Sequence, residues 1–366
     1  GASMQNNHFQ TVGSLLRPQE LKDYIDKYDV LPVNYLSYAK DNVLKELESG
    51  LDIVTDGEIN RIWWQLDFIF HLNNCERGSK FNWTFASHDA PAQNIEVKGK
   101  IGAKNHPFIT DWKYTQSLCT NTVKLCIPSI VQTVASFLDI SKRKLPPSTK
   151  KFYNIFSLIK DLEKAYKEFL DDYKKNNGKI IQMDDCLWAM FARDGSSSLE
   201  KTKKAPKFLA RIFIRLNNKI ITYAHSIGLT VWAHNCRGNH QSDYAGSGSY
   251  DSIAKLFLRH LKYDRFFLEY DSERSGSLDA LRVLAKKKNI PEVVVGALSS
   301  KFPVTSNEDE IIKKLEYVFS FYPKDKVYLS HQCGFASCHQ GNLLSYSEQW
   351  EQLRYGTRIA SKVWGK

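Results

Sequence analysis

Short apolar runs of five or six residues recur along this chain, separated by longer stretches in which apolar residues return every three or four positions. The short runs are rich in Val, Ile, Leu and Phe and end in polar residues, as strands buried on both faces do. Eight can be placed: Phe9–Ser14, Leu51–Asp56, Val123–Pro128, Ile180–Asp184, Thr230–His234, Arg265–Tyr270, Glu292–Ala297 and Lys326–His331. The periodic stretches predict helices over Tyr35–Ser49, Phe152–Asn176 and Ala205–Ile227, the last ended by Gly228. Asp251 or Ser252 is placed to cap a helix over Ile253–Lys262, and Ser277 to cap one over Leu278–Lys287.

Strands alternating with helices imply βα units and a parallel sheet. Eight of them predict an α/β fold of the TIM (β/α)8 barrel type, although an open doubly wound sheet has the same pattern. Residues 73–109 break the alternation. They hold an alternating run, Asn94–Ile101, and several loop formers, which predicts an inserted β-hairpin. Ser141–Lys151, rich in Lys, Pro and Ser, reads as an exposed loop before a long helix. The organisation expected is one barrel domain over residues 4–366, with Gly1–Ser3 ahead of Met4 read as residues added for recombinant expression.

Composition changes this picture little. A chain of 366 residues with 42% hydrophobic content and eight Trp has enough apolar surface for a large core. The formal charge of +11 could attract nucleic acid, a membrane surface or an acidic ligand. The lysines, however, are interleaved with Asp and Glu on helical stretches such as Lys160–Lys175, as on solvated helix faces, and no nucleic-acid motif accompanies them. No apolar run approaches the roughly 20 residues of a membrane span. Seven cysteines without a framework spacing fit a reduced, cytoplasmic protein, in which the Asn82-Trp83-Thr84 sequon is fortuitous. Neither nucleic acid nor membrane is therefore expected as a partner.

Chemistry enters at the strand ends. Ser14, Asp56-Gly57-Glu58, Asp184-Asp185, His234-Asn235-Cys236, Glu269 and Cys333 stand at or just beyond the C-terminal ends of successive predicted strands. A barrel gathers those ends on one face, where active sites are built. His234 and Cys236, two apart, point the same way if the strand continues, and Glu269 and Cys333 follow one and three βα units later. His-x-Cys alone is a common pair and defines no site. With the carboxylate and the second thiolate it makes a donor set that suits Zn2+. Two thiolates and a carboxylate would leave that zinc with a net negative charge, poor for acidifying water and good for keeping a bound thiolate nucleophilic. Thiol alkylation is the chemistry such a site favours.

The runs Thr11-Val-Gly-Ser-Leu-Leu-Arg-Pro18, Val54-Thr-Asp-Gly-Glu-Ile-Asn-Arg61, Ile181-Gln-Met-Asp-Asp185, His234-Asn-Cys-Arg-Gly-Asn239, Leu268-Glu-Tyr-Asp271 and Ser330-His-Gln-Cys-Gly-Phe-Ala-Ser337 carry a family pattern. In this order they resemble the cobalamin-independent methionine synthase family, especially its single-barrel, methionine synthase II-like members. The resemblance spans nearly the whole chain. It implies a TIM barrel with zinc held by His234, Cys236, Glu269 and Cys333, and homocysteine contacted by Ser14, Glu58 and Asp184. It further implies methyl transfer to the thiol of homocysteine from a donor that in the family is a methylated folate. Arg17 is a candidate for the substrate carboxylate, with a loop-capping role near Glu58 equally open. The purely structural alternative for Glu58 and Asp184 is a salt bridge to a barrel arginine such as Arg61.

Two departures bear on the donor. The family places a His in an Asp-Ile-His-Ser stretch after the seventh strand, where it serves the departing folate nitrogen; here Gly296-Ala-Leu-Ser-Ser300 puts Leu298 at that position. The second, N-terminal barrel of the two-barrel enzymes has no counterpart in this sequence. No catalytic residue beyond the zinc site is therefore assigned. A methyl-corrinoid, an S-methyl compound or an epoxide remain alternative electrophiles, and a thiol-sensing barrel without turnover is the alternative of another class. Trp63, Trp64, Trp188, Tyr270 and Phe335 lie beside the motifs as candidate pocket walls, and Asn239 and His240 as supporting donors to the metal site. Cys338 and His339, close to His331, are expected to have ordinary roles, as are Cys75, Cys119, Cys126 and Cys186.

Overall fold

The computed structural model describes residues 7–84, 89–138, 144–187, 207–235, 251–270, 278–303, 306–336 and 338–365. Two antiparallel strands, β1 (Asn73–Thr84) and β2 (Asp89–Gly102), form the inserted hairpin. Six parallel strands follow in the order of the chain: β3 (Leu125–Pro128), β4 (Ile180–Asp185), β5 (Thr230–Asn235), β6 (Arg265–Glu269), β7 (Glu292–Leu298) and β8 (Val327–His331). Helices Ile155–Lys175, Lys207–Ser226, Asp251–His260, Glu308–Phe319 and Tyr346–Trp364 lie between or after them. The fold is a TIM barrel.

The first two predicted strands are present only as single bridges. Phe9 pairs with Leu329 of β8, and Val54 pairs with Val123 next to β3, both in parallel. Between those two segments Leu15 N–H donates to the Gly57 carbonyl (3.0 Å) and the Thr55 hydroxyl to the Gly13 carbonyl (2.8 Å). The ring is thus joined all the way round, but by isolated hydrogen bonds at this seam. The physical reason is local. The Thr55 N–H, which a ladder would need, goes to the buried Glu46 carboxylate (3.0 Å).

Burial separates the inside of the barrel from its outer layer. Val12, Ile53, Ile180, Trp232, Phe267, Val294 and Tyr328 form one apolar cluster of their own. Their neighbours in sequence, such as Ile181, Val231, Phe266 and Leu329, belong instead to the large cluster packed under the helices. Alternate strand residues face opposite sides, so the first set plugs the barrel. Two residues on from Val12, Trp232 and Phe267, and four on from Ile180, are Ser14, His234, Glu269 and Asp184. Strand parity therefore sets these four side chains on the inner side, above the plug. Beneath it, the Arg265 guanidinium lies between the rings of Trp232 and Tyr328 (3.9 and 4.0 Å to the centroids) and pairs with Glu292 at 3.2 Å.

Other expectations shift modestly. The helix expected over Tyr35–Ser49 begins with a tight turn, Tyr35–Ser37, and becomes α-helical over Tyr38–Glu48. The last residues of the predicted insertion open the helix Pro107–Ser117, because Pro107 suits a first helical turn and the His106 side chain accepts from Phe108 N–H. Within the predicted loop before the long helix, Pro147–Lys150 make one helical turn. That long helix starts at Ile155, where Asn154 and Ser157 form a reciprocal cap. The helix expected over Leu278–Lys287 is a tight turn, Leu278–Leu281, continued by Arg282–Ala285. Ser277 lies outside the described residues.

Candidate active site at the barrel mouth

Ser14 is buried and tied to the far side of the ring. Its hydroxyl accepts from Ala336 N–H (3.1 Å) and its carbonyl from Phe335 N–H (2.9 Å). Gly334, between these residues and Cys333, has to be glycine: a Cβ there would lie 2.0 Å from the Ser14 hydroxyl. Cys333 is thereby held in a loop packed directly on Ser14. The Ser300 hydroxyl donates to the Gly334 carbonyl (3.1 Å) and the Asn342 amide to the Ser300 carbonyl (2.8 Å), which ties the loops after β7 and β8 together.

Glu58 has a backbone φ of 57°, a left-handed conformation that a glutamate adopts only under constraint. The constraint is an Asp turn, in which Asp56 accepts from the Glu58 N–H (2.7 Å). Its carboxylate pairs with Arg61 at 2.9 Å, both side chains buried. Burial pushes the Glu58 carboxyl up, and Arg61 and Arg17 pull it down. One oxygen of Glu58 is therefore engaged in the structural ion pair that was the alternative to substrate contact. Arg17 is also buried and donates to the carbonyls of Leu15 (2.8 Å), Arg61 (2.9 Å), Ala336 (3.4 Å) and Glu58. This is the geometry of a loop clamp, the second of the two roles open to Arg17, and it leaves no observed contact aimed at the mouth.

Asp184, the last but one residue of β4, is in register with His234 of β5. Burial raises its carboxyl well above the usual range, and the charge of Glu58 raises it further. One oxygen accepts from the Gln182 amide at 2.8 Å. The neighbouring Asp185 serves the loops instead. It accepts from the Ser129 hydroxyl (2.9 Å) and Leu187 N–H (2.7 Å), and burial pushes it up to about 6.

His234, Glu269 and Cys333 are all buried at strand ends on this face. Cys236, Asn239, His240 and Trp188 lie outside the described residues. Among the described residues no three His, Cys, Asp or Glu side chains are close enough together to hold a metal ion. What the Glu269 carboxylate faces is Lys301, at 3.9 Å, itself buried. The donor types suit zinc, and strand parity turns His234 and Glu269 to the same side, but the three described donors, His234, Glu269 and Cys333, are not brought together around one point.

Lys301 was not legible as a site residue, because Ser-Ser-Lys after a strand reads as a solvated loop. Lys124 and Gln182 were missed too. Their signal was a Lys and a Gln inside otherwise apolar strands, at positions whose parity points inward. The remaining candidates have ordinary places. His331 packs on Phe9 and Phe335 and is pushed down to about 4 by burial. His339 pairs with Asp26 at 2.7 Å, and the Cys338 thiol donates to Gln340. Tyr270, Phe335 and Trp63 are buried in packing. Leu298 is fully buried where β7 shifts register against β8.

Comparison with known proteins agrees with this architecture. A structure from Listeria monocytogenes, provisionally named a vitamin-B12-independent methionine synthase, has a TM-score of 0.72 at 24% identity, covering 98% of both chains. A B12-independent methionine synthase from Shewanella sp. W3-18-1, in complex with selenomethionine, has a TM-score of 0.73 at 18% identity, covering 97% of both. A methyltransferase from Methanosarcina mazei is more distant, with a TM-score of 0.57 at 12% identity. The fold is thus the single barrel of methionine synthase-like proteins, as the motifs implied. No family model matches the chain. Two uncharacterized proteins of Bacillus subtilis, YxjH and YxjG, are each 33% identical over 329 residues, covering 88% of this chain and 83% of each relative. The chain belongs to the family of YxjH and YxjG.

Proposed function

We propose that the protein is a zinc-dependent S-methyltransferase that methylates the thiol of homocysteine. The observation that carries this reading is the set of buried polar strand ends — Ser14, Glu58, Asp184, His234, Glu269 and Cys333 — on one face of a barrel whose fold is that of methionine synthases. His234, Cys236, Glu269 and Cys333 would hold the zinc, which when bound supplies a thiolate at neutral pH that stays nucleophilic. Asp184 and the second carboxylate oxygen of Glu58 would receive the ammonium of the amino acid, and Ser14 its carboxylate. Burial of both acids strengthens such contacts by excluding water. The selenomethionine bound by the Shewanella protein is the selenium analogue of the thioether this reaction would make.

In the reaction a sulfur–carbon bond forms to the methyl group while the bond to the donor breaks, and its electron pair leaves with the donor. An amine donor needs a proton at that moment. Leu298, apolar and fully buried, offers none where the methionine synthases have a His. This favours a second reading of the donor: a methyl-corrinoid or a sulfonium-type S-methyl compound, whose leaving group departs without an acid. Incubating the purified protein with homocysteine and each donor in turn, and measuring methionine by mass spectrometry, separates the readings. Methionine from one donor class supports the enzyme. Tight homocysteine binding with no turnover from any donor would instead favour a sensor.

A further inference from the structure

Below the mouth, the barrel holds a lysine in its centre. Lys124 is buried, with its ammonium 4.5 Å from the centroid of the Phe267 ring and 5.4 Å from that of Trp232. It donates to the Thr11 carbonyl and to the Gln182 side-chain oxygen, both at 2.6 Å. The Gln182 amide nitrogen donates upward to Asp184 and sideways to the Val12 carbonyl, both at 2.8 Å.

The direction of this chain follows from chemistry. An ammonium only donates and a carboxylate only accepts, while a primary amide does both from opposite ends. With Lys124 below, the amide oxygen has to point down and its NH2 has to point up, at Asp184. The reverse orientation would set an acceptor against a carboxylate above and a donor against an ammonium below. The same two side chains fix the carbonyls of Thr11 and Val12, the residues that lead into Ser14. We infer that Lys124, acting through Gln182, is a positioning residue that aims Asp184 at the ammonium of the substrate.

This inference rests on the reading of Asp184 as the ammonium contact, so its test includes that residue. The probes are homocysteine and 4-sulfanylbutanoate, which has the same thiol and carboxylate but no amino group. Titration calorimetry on the zinc-loaded protein gives the affinity ratio of the two. In Lys124→Met and Gln182→Glu, homocysteine binding is expected to weaken about tenfold while 4-sulfanylbutanoate changes less than about twofold. Gln182→Glu is nearly isosteric and keeps an acceptor for Lys124, but gives Asp184 no donor, so it tests the relay even if Lys124→Met fails to fold. Adding either substitution to Asp184→Asn should change the ratio no further.

A purely structural role would weaken both ligands alike, and that result overturns the proposal. Selectivity retained in Lys124→Met and Gln182→Glu but lost in Asp184→Asn overturns the relay and leaves the homocysteine reading standing. Selectivity retained in Asp184→Asn overturns the homocysteine contact itself, and the relay with it.

Discussion

Cys333 sits two residues past β8, in a loop that Gly334 presses onto Ser14. If it ligates zinc, Cys333→Ser should lower metal content from about one ion per chain to a small fraction of that, read by mass spectrometry of the metal. A fully loaded variant would remove Cys333 from the ligand set. Asp184 makes a prediction about pH. Its folded-state carboxyl titrates above the unfolded value because burial and Glu58 disfavour the charge. In that window the folded state binds more protons than the unfolded one, so this group's contribution to stability falls as pH rises through the folded value. Asp184→Asn removes the penalty. It should therefore melt higher than the parent at pH 8 and lose that advantage toward pH 5, while binding homocysteine more weakly. Equal melting temperatures at pH 8 would contradict the cause assigned to the shift. At this scale the sequence announced the acids and the sulfur and nitrogen donors, because such residues at strand ends stand out. It hid Lys301 and the clamping of Arg17, since what decides their roles is which carbonyls or carboxylates come close in space.

Among the elements, the six strands β3–β8 were readable as apolar runs and lie within a residue or two of where the pattern put them. The seam at Phe9 and Val54 was not, because a strand needs partners for its N–H groups as well as an apolar face. Glu46 supplies the missing partner for Thr55 from a helix, a contact that no periodicity records. Glu46→Ala should leave that N–H buried and unpaired, costing about 1–3 kcal/mol in denaturant unfolding. A change below about 0.5 kcal/mol would mean that water or a new ladder bond replaces the carboxylate. The hairpin was visible from alternation over Asn94–Ile101, and its strands, Asn73–Thr84 and Asp89–Gly102, fall within the insertion expected over residues 73–109.

Over the whole molecule, one ring of strands turns scattered residues into a single inner surface. The apolar plug of Trp232, Phe267 and Tyr328 fills the barrel, and parity then puts His234 and Glu269 one step above it. Among the described residues, the lysines that enter this arrangement are the buried Lys124 and Lys301, not the scattered ones behind the net charge of +11. Among the described residues no helix is long and apolar enough to cross a membrane. The central claim is that this inner surface activates a thiol on zinc. Its most direct test is zinc-edge X-ray absorption of the purified protein with and without homocysteine. The account predicts a site with two sulfur donors that gains a third on adding homocysteine. A protein that takes up no zinc, or a sulfur count unchanged by homocysteine, would contradict it.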